Sequence, residues 1–241
     1  MFEPGDRVLL VGGGRTFFVR AGCGSFSTDR GVIDLDALLA ASPGDTIQTH
    51  TGGVFQVLAP RAPDFFARAS RSGAPMLPKD IGLVIAYTGM NNRDVVLDAG
   101  TGSGIAAIYF GGIAGKVVSY EIRPEFARQA EKNVADAKLS TVEVICGDVR
   151  EAAGTYDIVH LDLSVTPDIV SHAHSILRPG GYLACYTPFL EQLVTVMDTA
   201  RDLFTEVTAH ECIGREIARG PRGTRPSTRV CHTGYVTVAR V

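Results

Sequence analysis

The segment of residues 94–104 reads DVVLDAGTGSG and constrains the fold more than any other part of the chain. Its Val95–Leu97 run is apolar and is stopped by turn residues, a pattern that predicts a buried parallel strand. Gly100, Gly102 and Gly104 then end the strand, because glycine adopts positive φ angles and lets a ligand approach the bare main chain. The apolar residues that follow predict a helix. A strand, a glycine turn and a helix N-terminus in this order form a cradle for a small molecule.

Two ligands fit this glycine pattern. A dinucleotide fingerprint, G-x-G-x-x-A, is present at Gly102, Gly104 and Ala107. The alternative is the acidic-x-Gly-x-Gly-x-Gly pattern that starts at Asp98 and suits S-adenosylmethionine (SAM). A carboxylate at the strand end repels a pyrophosphate but tolerates a sulfonium and an α-amino group. Asp98 therefore favours SAM, and we expect contacts from Asp98 and from Gly100, Thr101, Gly102, Ser103 and Gly104.

The rest of the chain divides into three parts. Residues 1–62 contain short strand patterns separated by glycines and predict a small all-β domain, with a hairpin formed by residues 7–11 and 15–20. Residues 63–93 predict a linker and a leading helix. Residues 94–241 alternate strand and helix patterns, which predicts a parallel sheet with an antiparallel pair at its end. The expected α/β fold is a class-I SAM-dependent methyltransferase with a Rossmann-like seven-stranded sheet and a small N-terminal all-β domain.

The composition excludes several classes of protein. The chain has 241 residues, 20% of them charged, and a formal net charge of −3, so any nucleic-acid surface must be a local patch. The sequence contains no apolar run long enough to span a membrane, no signal-peptide pattern and no C-x-x-C among its cysteines. These features predict a cytoplasmic protein without a membrane span, a disulfide framework or a metal site.

Acidic residues end the first four predicted strands of the sheet: Asp98, Glu121, Asp148 and Asp162. Ligands bind at the carboxyl ends of such strands, and four crowded carboxylates are costly unless a positive or donor-rich ligand lies among them. Glu121 is expected to bind the ribose hydroxyls of SAM. Asp148 and the backbone of Val149 are expected to bind its adenine. Phe126 is placed to pack either on that adenine or in the core. For Glu121 and Asp148 the alternatives are helix N-capping or a position in a solvated loop.

Asp162 carries the chemical prediction. In this architecture the end of the fourth strand faces the transferred methyl group. A carboxylate there accepts a hydrogen bond from an exocyclic amine and stabilises a developing cation. This combination matches methylation of a ring nitrogen such as N1 of adenine, and it requires no metal. Asp162 is therefore expected to be the catalytic residue and also a cofactor contact, with N-capping of the next helix as the alternative.

An arginine-rich loop separates the last two predicted strands. Its arginines fall within 15 residues: Arg215, Arg219, Arg222, Arg225 and Arg229. Glycines and prolines between them predict a loop without regular structure. Guanidinium groups suit phosphate oxygens, so we expect these arginines to bind nucleic-acid phosphates. His232 is a further candidate for substrate contact, and a merely solvated charged loop is the alternative.

Together these motifs resemble the tRNA adenine-N1 methyltransferases that modify T-loop adenines at position 58 and, in archaea, also at position 57. The resemblance runs almost end to end, through RTFFVR (15–20), LPKD (77–80), DAGTGSG (98–104), SYEIRP (119–124), LDL (161–163) and HTGYVTVAR (232–240). It implies SAM as cofactor, tRNA as partner, Asp162 as the residue that positions the adenine, and a homotetramer. Many members follow the catalytic Asp with a Pro- and Trp-containing segment, whereas here the segment is LSVTP and the chain has no Trp.

Two other functions share some of these features. A cobalt-precorrin (decarboxylating) methyltransferase has the same cradle and an acidic tetrapyrrole substrate, but the small N-terminal β domain argues against it. A non-catalytic tRNA-binding subunit should have lost its cofactor residues, whereas the glycines and the strand-end acids are all present here.

Overall fold

The computed structural model describes residues 1–227 and 232–241, which form two compact units. The first unit comprises Met1–Ala69 with Asp136–Lys138, and the second comprises Ser70–Ala135 with Leu139–Val241. The division into functional parts at residues 62 and 93 stays a prediction. In the described part of the chain, no helix is both long enough and apolar enough to cross a membrane.

The first unit is made of short antiparallel strands. Its elements are β1 (Arg7–Gly12), β2 (Arg15–Arg20), β3 (Ser25–Thr28), β4 (Gly31–Asp34), β5 (Thr46–Gln48), β6 (Val54–Leu58) and the helix α1 (Ala62–Arg68). One sheet has the order β2-β1-β6-β5, and β3 pairs with β4. The predicted hairpin is confirmed, with Val8 opposite Val19 and Gly12 opposite Arg15. Leu10, Phe55 and their neighbours fill a core of fully buried apolar side chains.

The remaining elements alternate between strand and helix. They are α2 (Pro78–Thr88), β7 (Val95–Ala99), α3 (Ile105–Gly111), β8 (Lys116–Glu121), α4 (Pro124–Asp136), β9 (Val142–Cys146), β10 (Tyr156–Leu161), α5 (Pro167–Ser175), β11 (Leu177–Thr187), α6 (Leu190–Arg201), β12 (Glu206–Glu211), β13 (Ile217–Gly220), β14 (Gly223–Pro226) and β15 (Tyr235–Arg240). Pro78 starts α2 at a position where its missing N–H costs nothing, and Gly89 ends it in the left-handed conformation at φ +65°.

The central sheet of the second unit has the order β12-β15-β11-β10-β7-β8-β9. Strands β7 to β11 run parallel, and β15 lies antiparallel between β11 and β12. This arrangement confirms the predicted class-I methyltransferase fold. Strand β8 lies on one side of β7 and β10 lies on the other. The topological switch point is therefore between the carboxyl ends of β7 and β10, where ligands bind in such sheets.

The apolar run predicted as a buried strand forms β7, and its Val96 and Leu97 are fully buried. Leu97 joins a core that includes Val159, Leu161 and Leu183 from the two strands beyond it. Helices cover both faces of a parallel sheet, so neighbouring residues of a central strand are buried on opposite faces. The strands whose ends carry the predicted acids therefore share one apolar core.

The prediction that the arginine-rich loop lacks regular structure is wrong. Residues 217–226 form the hairpin β13–β14, in which Gly220 pairs with Gly223 across a turn made by Pro221 and Arg222. Gly223 has φ +125°, which suits glycine. Glycines and prolines indicate a break in regular structure. Two glycines that flank a two-residue turn, however, also permit a hairpin. Arg229 lies outside the described residues.

Candidate active site

A cavity of ≈ 440 Å³ opens at the carboxyl ends of β7, β8, β9 and β10. Among the residues that line it are Gly100, Glu121, Asp148 and Asp162, one from the end of each strand. Val149 and Arg123 also lie on its wall. The structure thus brings five of the predicted cofactor residues to one cavity at the switch point: Gly100, Glu121, Asp148, Val149 and Asp162.

The glycine turn after β7 is packed directly against the end of β10. The backbone N–H of Asp162 donates to the carbonyl of Ala99 at 2.8 Å. Gly100 has φ +86°, and a Cβ there would lie 1.9 Å from the carbonyl oxygen of Asp162. Only glycine fits such a contact, so the turn holds Asp162 against the loop that is expected to face the methionine part of SAM.

Glu121 is buried and already hydrogen-bonded. The N–H of Gly102 donates to its Oε2 at 2.9 Å, and Arg123 Nε donates to its Oε1 at 2.8 Å. Burial acts to raise the pKa of Glu121, but the bonds from Arg123 and Gly102 outweigh it and lower the pKa below its ordinary value. Glu121 is therefore an ionised acceptor, as binding of ribose hydroxyls requires.

Asp148 caps a 3₁₀ turn formed by Val149–Glu151, accepting from the backbone N–H of Arg150 at 2.9 Å. The Arg150 side chain also donates to this carboxylate, and these bonds lower the pKa of Asp148 to about 2. The alternative role of Asp148 as an N-cap is thus present in the structure. The cap leaves Asp148 and Val149 on the cavity wall, so capping and ligand contact are compatible.

A second cavity of ≈ 290 Å³ lies on the other side of the glycine turn. Its lining includes Thr101, Gly102, Ser103 and Phe126, together with residues 72–76, and it shares Gly100, Arg123 and Asp162 with the first cavity. The guanidinium of Arg123 lies 3.6 Å from the centre of the Phe126 ring. Phe126 thus faces a cavity, although not the one that Asp148 lines.

Residues 72–76 form a wall of the site that the sequence did not indicate. The N–H of Ser72 donates to Ser103 Oγ at 2.9 Å, and Asn133 Nδ2 donates to the carbonyls of Ser70 and Ser103 at 2.9 and 2.8 Å. These bonds attach the segment to the glycine loop. Its prolines and serines are typical of any linker, so no local pattern identified it as part of the site.

Asp98 lies outside both cavity linings, although the sequence placed it beside the sulfonium. It is 1% exposed, and its carboxylate contacts His160 and Ser119 on the neighbouring strands. Gly104 is also buried, and a Cβ there would meet Ala130 at 3.2 Å, so its role is to let α3 and α4 approach. Both residues are buried beneath the surface of the site.

Asp162 lines both cavities, and no residue that the structure describes forms a hydrogen bond to its side chain. Burial raises the pKa of its carboxyl to about 6, with His160 lowering it and Asp98 raising it by smaller amounts. A carboxylate without a partner at the junction of two cavities is an acceptor available to a ligand.

Lys79 and Asp80 form a buried network for which the sequence predicted no role. Lys79 Nζ donates to Asp80 Oδ1, the carbonyl of Cys212 and Thr233 Oγ1 at 2.6, 2.6 and 2.7 Å. Tyr186 OH donates to the carbonyl of Thr233 at 2.7 Å. Because Cys212 and Thr233 flank the arginine hairpin, this network attaches both of its ends to α2.

The arginines that fall in described residues are exposed: Arg215, Arg219, Arg222 and Arg225. Their side chains are available to solvent and so to phosphate groups. His232 is different, since its Nδ1 lies 2.6 Å from Glu211 Oε1, and this hydrogen bond raises the pKa of His232. It therefore anchors the end of the loop to β12 in the structure described.

Comparison with known proteins gives this geometry a family. A profile described as "Methyltransferase domain" matches residues 96–181. The chain is 33% identical over 270 residues to the tRNA (adenine(57)-N(1)/adenine(58)-N(1))-methyltransferase TrmI of Methanocaldococcus jannaschii, covering 98% of this chain and 94% of the relative. The chain belongs to the TrmI family of tRNA (adenine-N1)-methyltransferases. The Thermus thermophilus TrmI is 32% identical over 209 residues, covering 83% of this chain and 82% of the relative.

Solved structures agree with the TrmI fold over the whole chain. A protein described as a SAM-dependent O-methyltransferase from Thermotoga maritima has a TM-score of 0.84 and 28% identity, covering 99% of this chain and 94% of that one. TrmI from Aquifex aeolicus has a TM-score of 0.81 and 23% identity, covering 99% of this chain and 98% of that one. As a TrmI-family member, the chain is a SAM-dependent methyltransferase.

The residues present fit SAM. In this TrmI-family chain, the ionised Glu121 would offer an acceptor to the ribose hydroxyls of SAM. Asp148 and the backbone of Val149, on the cavity wall, would offer an acceptor and a donor to its adenine. Gly102 lines the second cavity at φ +54°, and a Cβ added there would meet only the carbonyl oxygen of Gly100, at 3.8 Å, so its backbone is open to the methionine part. Bound there, SAM supplies an electrophilic methyl group on a sulfonium.

The pKa of Asp162 predicts how methyl transfer depends on pH. If the ionised carboxylate of Asp162 is the acceptor for the substrate base, a pKa of about 6 means that this acceptor is lost as pH falls through that value. We expect kcat/KM for the nucleic-acid substrate to be level above pH ~7 and to fall about tenfold per pH unit well below pH ~6. A pH–rate series measures this directly. If the activity instead fell only near pH ~4, the ordinary pKa of an aspartate, burial would not be raising the pKa of Asp162.

Proposed function

We propose that this chain methylates N1 of adenine 58 in the T-loop of tRNA, and that its preference extends to adenine 57. The observation that carries the proposal is Asp162, a carboxylate without a hydrogen-bond partner among the described residues, held beside the glycine turn where two cavities meet. The names of the relatives from Methanocaldococcus jannaschii and Thermus thermophilus support the choice of substrate.

The residues of the chain account for the chemistry as follows. The Asp162 carboxylate accepts a hydrogen bond from the exocyclic amine of adenine, which orients N1 toward the methyl donor. As N1 forms its new bond, the ring gains positive charge, and the nearby anion stabilises it. Because the backbone N–H of Asp162 is hydrogen-bonded to the carbonyl of Ala99, the main chain at this anion needs little reorganisation. The target base must be flipped out of the folded tRNA to reach the cavity.

The arginine hairpin provides the proposed tRNA contact. On β13 and β14, Arg219 pairs with Thr224 and Arg225 pairs with Ala218, so these arginines lie on opposite faces of the hairpin while Arg222 lies at its tip. A hairpin of this kind presents guanidinium groups on both faces and at its tip. It therefore suits a phosphate backbone rather than one bound anion. With a net charge of −3 for the whole chain, a local patch of this type is required.

Replacing Arg222 and Arg225 by alanine tests this contact. We expect weaker tRNA binding and a dependence of log K on log[salt] that is shallower by about 2, because each arginine that no longer neutralises a phosphate lowers the slope by roughly one unit. At saturating tRNA, kcat should change little. The matched control replaces Arg93 and Arg201, which are also exposed, and should leave the slope unchanged. Equal slopes for both double variants would remove the hairpin from the interface.

Incubating the protein with SAM and unmodified tRNA, followed by mass mapping of nucleosides, tests the function itself. The expected product is 1-methyladenosine at position 58, and modification at position 57 as well would give the range of targets. Methylation of a nucleoside oxygen would instead favour O-methyltransferase activity, which is the activity in the description of the Thermotoga maritima structure. Absence of any methylated nucleoside would overturn the proposal.

Two alternatives are less well supported. A precorrin-8W decarboxylase structure has a TM-score of 0.63 but covers only 70% of this chain, and at 23% identity it indicates the fold alone. For a non-catalytic tRNA-binding subunit, the buried Glu121 and the unpartnered Asp162 would have no role. Calorimetry with SAM separates that case, since an inactive subunit should not bind it.

We also propose a homotetramer in the cytoplasm, on the strength of the family resemblance. The part of the chain that the structure describes contains no group of three or more His, Cys, Asp or Glu side chains suited to a metal ion, and the proposed chemistry uses none. Light scattering of the purified protein would give the oligomeric state.

A further inference from the structure

Four polar side chains form a hydrogen-bonded row beneath the active site, which we call the ladder: His160, Asp98, Ser119 and Thr101. His160 of β10 and Ser119 of β8 are both register partners of Asp98 in β7. His160 Nδ1 lies 2.7 Å from Asp98 Oδ1, and Ser119 Oγ donates to Asp98 Oδ2. Ser119 Oγ also lies 2.7 Å from Thr101 Oγ1, in the glycine loop. The ladder therefore links three strands and the loop.

Every member of the ladder is buried, with 0% exposure for His160 and Ser119, 1% for Asp98 and 6% for Thr101. A buried carboxylate is costly unless it is hydrogen-bonded. His160 Nδ1 donates to it, because a carboxylate only accepts. The other ring nitrogen, Nε2, has no partner among the described residues, and the ring packs edge-on against Phe110 with centroids 5.1 Å apart.

The unpartnered nitrogen shows why packing alone does not explain a histidine here. An apolar side chain of similar size would fill the space beside Phe110 without burying an unsatisfied nitrogen. What an apolar side chain would not supply is the donor to Asp98. The structural purpose of His160 is therefore its bond to that carboxylate.

The ladder lies next to the residues of the active site. Side chains at positions i and i+2 of a strand point to the same face. Two positions beyond Asp98, Ser119 and His160 lie Gly100, Glu121 and Asp162, which line the first cavity. A change in the spacing of the ladder would thus change the spacing of those three residues.

We infer that His160 is a positioning residue. Through Asp98 it holds the end of β10, with Asp162, against the end of β7, and through Ser119 and Thr101 the same ladder fixes the glycine loop that receives SAM. The effect on turnover rests on the proposed function, whereas the effect on SAM binding does not. His160, Asp98 and Ser119 line neither cavity, so they act only through the residues that do.

The test compares His160→Leu with His160→Asn. Leucine removes the donor, whereas the amide nitrogen of asparagine occupies nearly the position of Nδ1 and donates to Asp98. We expect His160→Leu to weaken SAM binding by calorimetry by at least about fivefold and to lower kcat by at least about tenfold, because a hydrogen bond to a charged group is lost. His160→Asn should remain within about twofold of the wild type for both.

A structural control comes from the adjacent position. Val159→Ala leaves a cavity in the same strand and lowers stability, but it should leave SAM affinity and kcat near the wild-type values at a temperature where the protein is folded. If His160→Leu does not fold, Ser119→Ala replaces it as a smaller change on the other side of Asp98. It should weaken SAM binding, and unchanged affinity in Ser119→Ala would then overturn the inference.

The remaining outcomes are equally decisive. SAM affinity and kcat of His160→Leu within about twofold of the wild type would show that the ladder positions nothing. Equal defects in the asparagine and leucine variants would mean that the imidazole acts by packing and not by donation, which also overturns the inference. If the wild-type protein methylates no tRNA, the proposed function fails, while the SAM affinities of the variants still test the ladder.

Discussion

Asp162→Asn should lower kcat for tRNA methylation by about 10²–10³-fold, the range found when one group that stabilises transition-state charge is removed. Asparagine keeps the shape of the side chain and an acceptor oxygen, but it carries no negative charge to oppose the cation that forms on the adenine. SAM affinity should change little, because Glu121 and the glycine turn are intact. Single-turnover transfer of a labelled methyl group, with calorimetry for SAM, measures the two effects separately.

Asp198→Asn is the matched control for this substitution. Asp198 lies on the outer helix α6 with a side chain that is 66% exposed, so removing its charge should leave kcat unchanged. The variant Asp162→Asn should also lose the acid limb of the pH profile, since the group that titrates is gone. Near-normal turnover in Asp162→Asn would assign the chemistry to another residue.

Gly100→Ala should abolish productive SAM binding. The new Cβ would stand 1.9 Å from the carbonyl oxygen of Asp162, and a residue other than glycine at φ +86° costs about 1–2 kcal/mol even in open space. The loop or the end of β10 must move, which separates the two groups that the site needs together. We expect SAM affinity to fall by well over about tenfold by calorimetry, with methyl transfer lost in parallel.

Gly82→Ala is the opposite case within the same unit. Gly82 lies in α2 and is exposed, and a Cβ added there would meet no heavy atom within 4 Å beyond its chain neighbours and its own helix backbone. Alanine there should raise stability by about 0.5–1 kcal/mol, because glycine is a poor helix former. The expected pattern is a higher melting temperature with unchanged SAM affinity. If Gly100→Ala bound SAM as well as Gly82→Ala does, the close contact would not govern the site.

The sequence predicted the parts of the site that follow from topology. Strand ends of a parallel sheet meet at one edge, so Glu121, Asp148 and Asp162 could be assigned to one cavity from local patterns alone. The orientation of the Asp98 side chain, toward His160 and Ser119 rather than into a cavity, could not be predicted in the same way. Its partner His160 lies 62 positions away, and only the register between β7 and β10 brings the two together.

Contacts over longer separations in the chain were also beyond local patterns. Lys79 and Thr233 are 154 positions apart, yet they share a hydrogen bond at 2.7 Å. Ser72 and Ser103 come together because a segment without regular structure passes over the glycine loop. In each case the residue types are ordinary, and their role depends on which elements the fold places side by side.

The two arginines that follow the strand-end acids have a consequence for how RNA approaches. Arg123 accompanies Glu121 and Arg150 accompanies Asp148, each two positions later and each in direct contact with its carboxylate. The rim of the cavity is therefore close to local electroneutrality, and a polyanion meets little repulsion there. Among the residues that line the first cavity, Asp162 is the one carboxylate without such an arginine, so its negative charge would be left to oppose the cation that the proposed reaction forms.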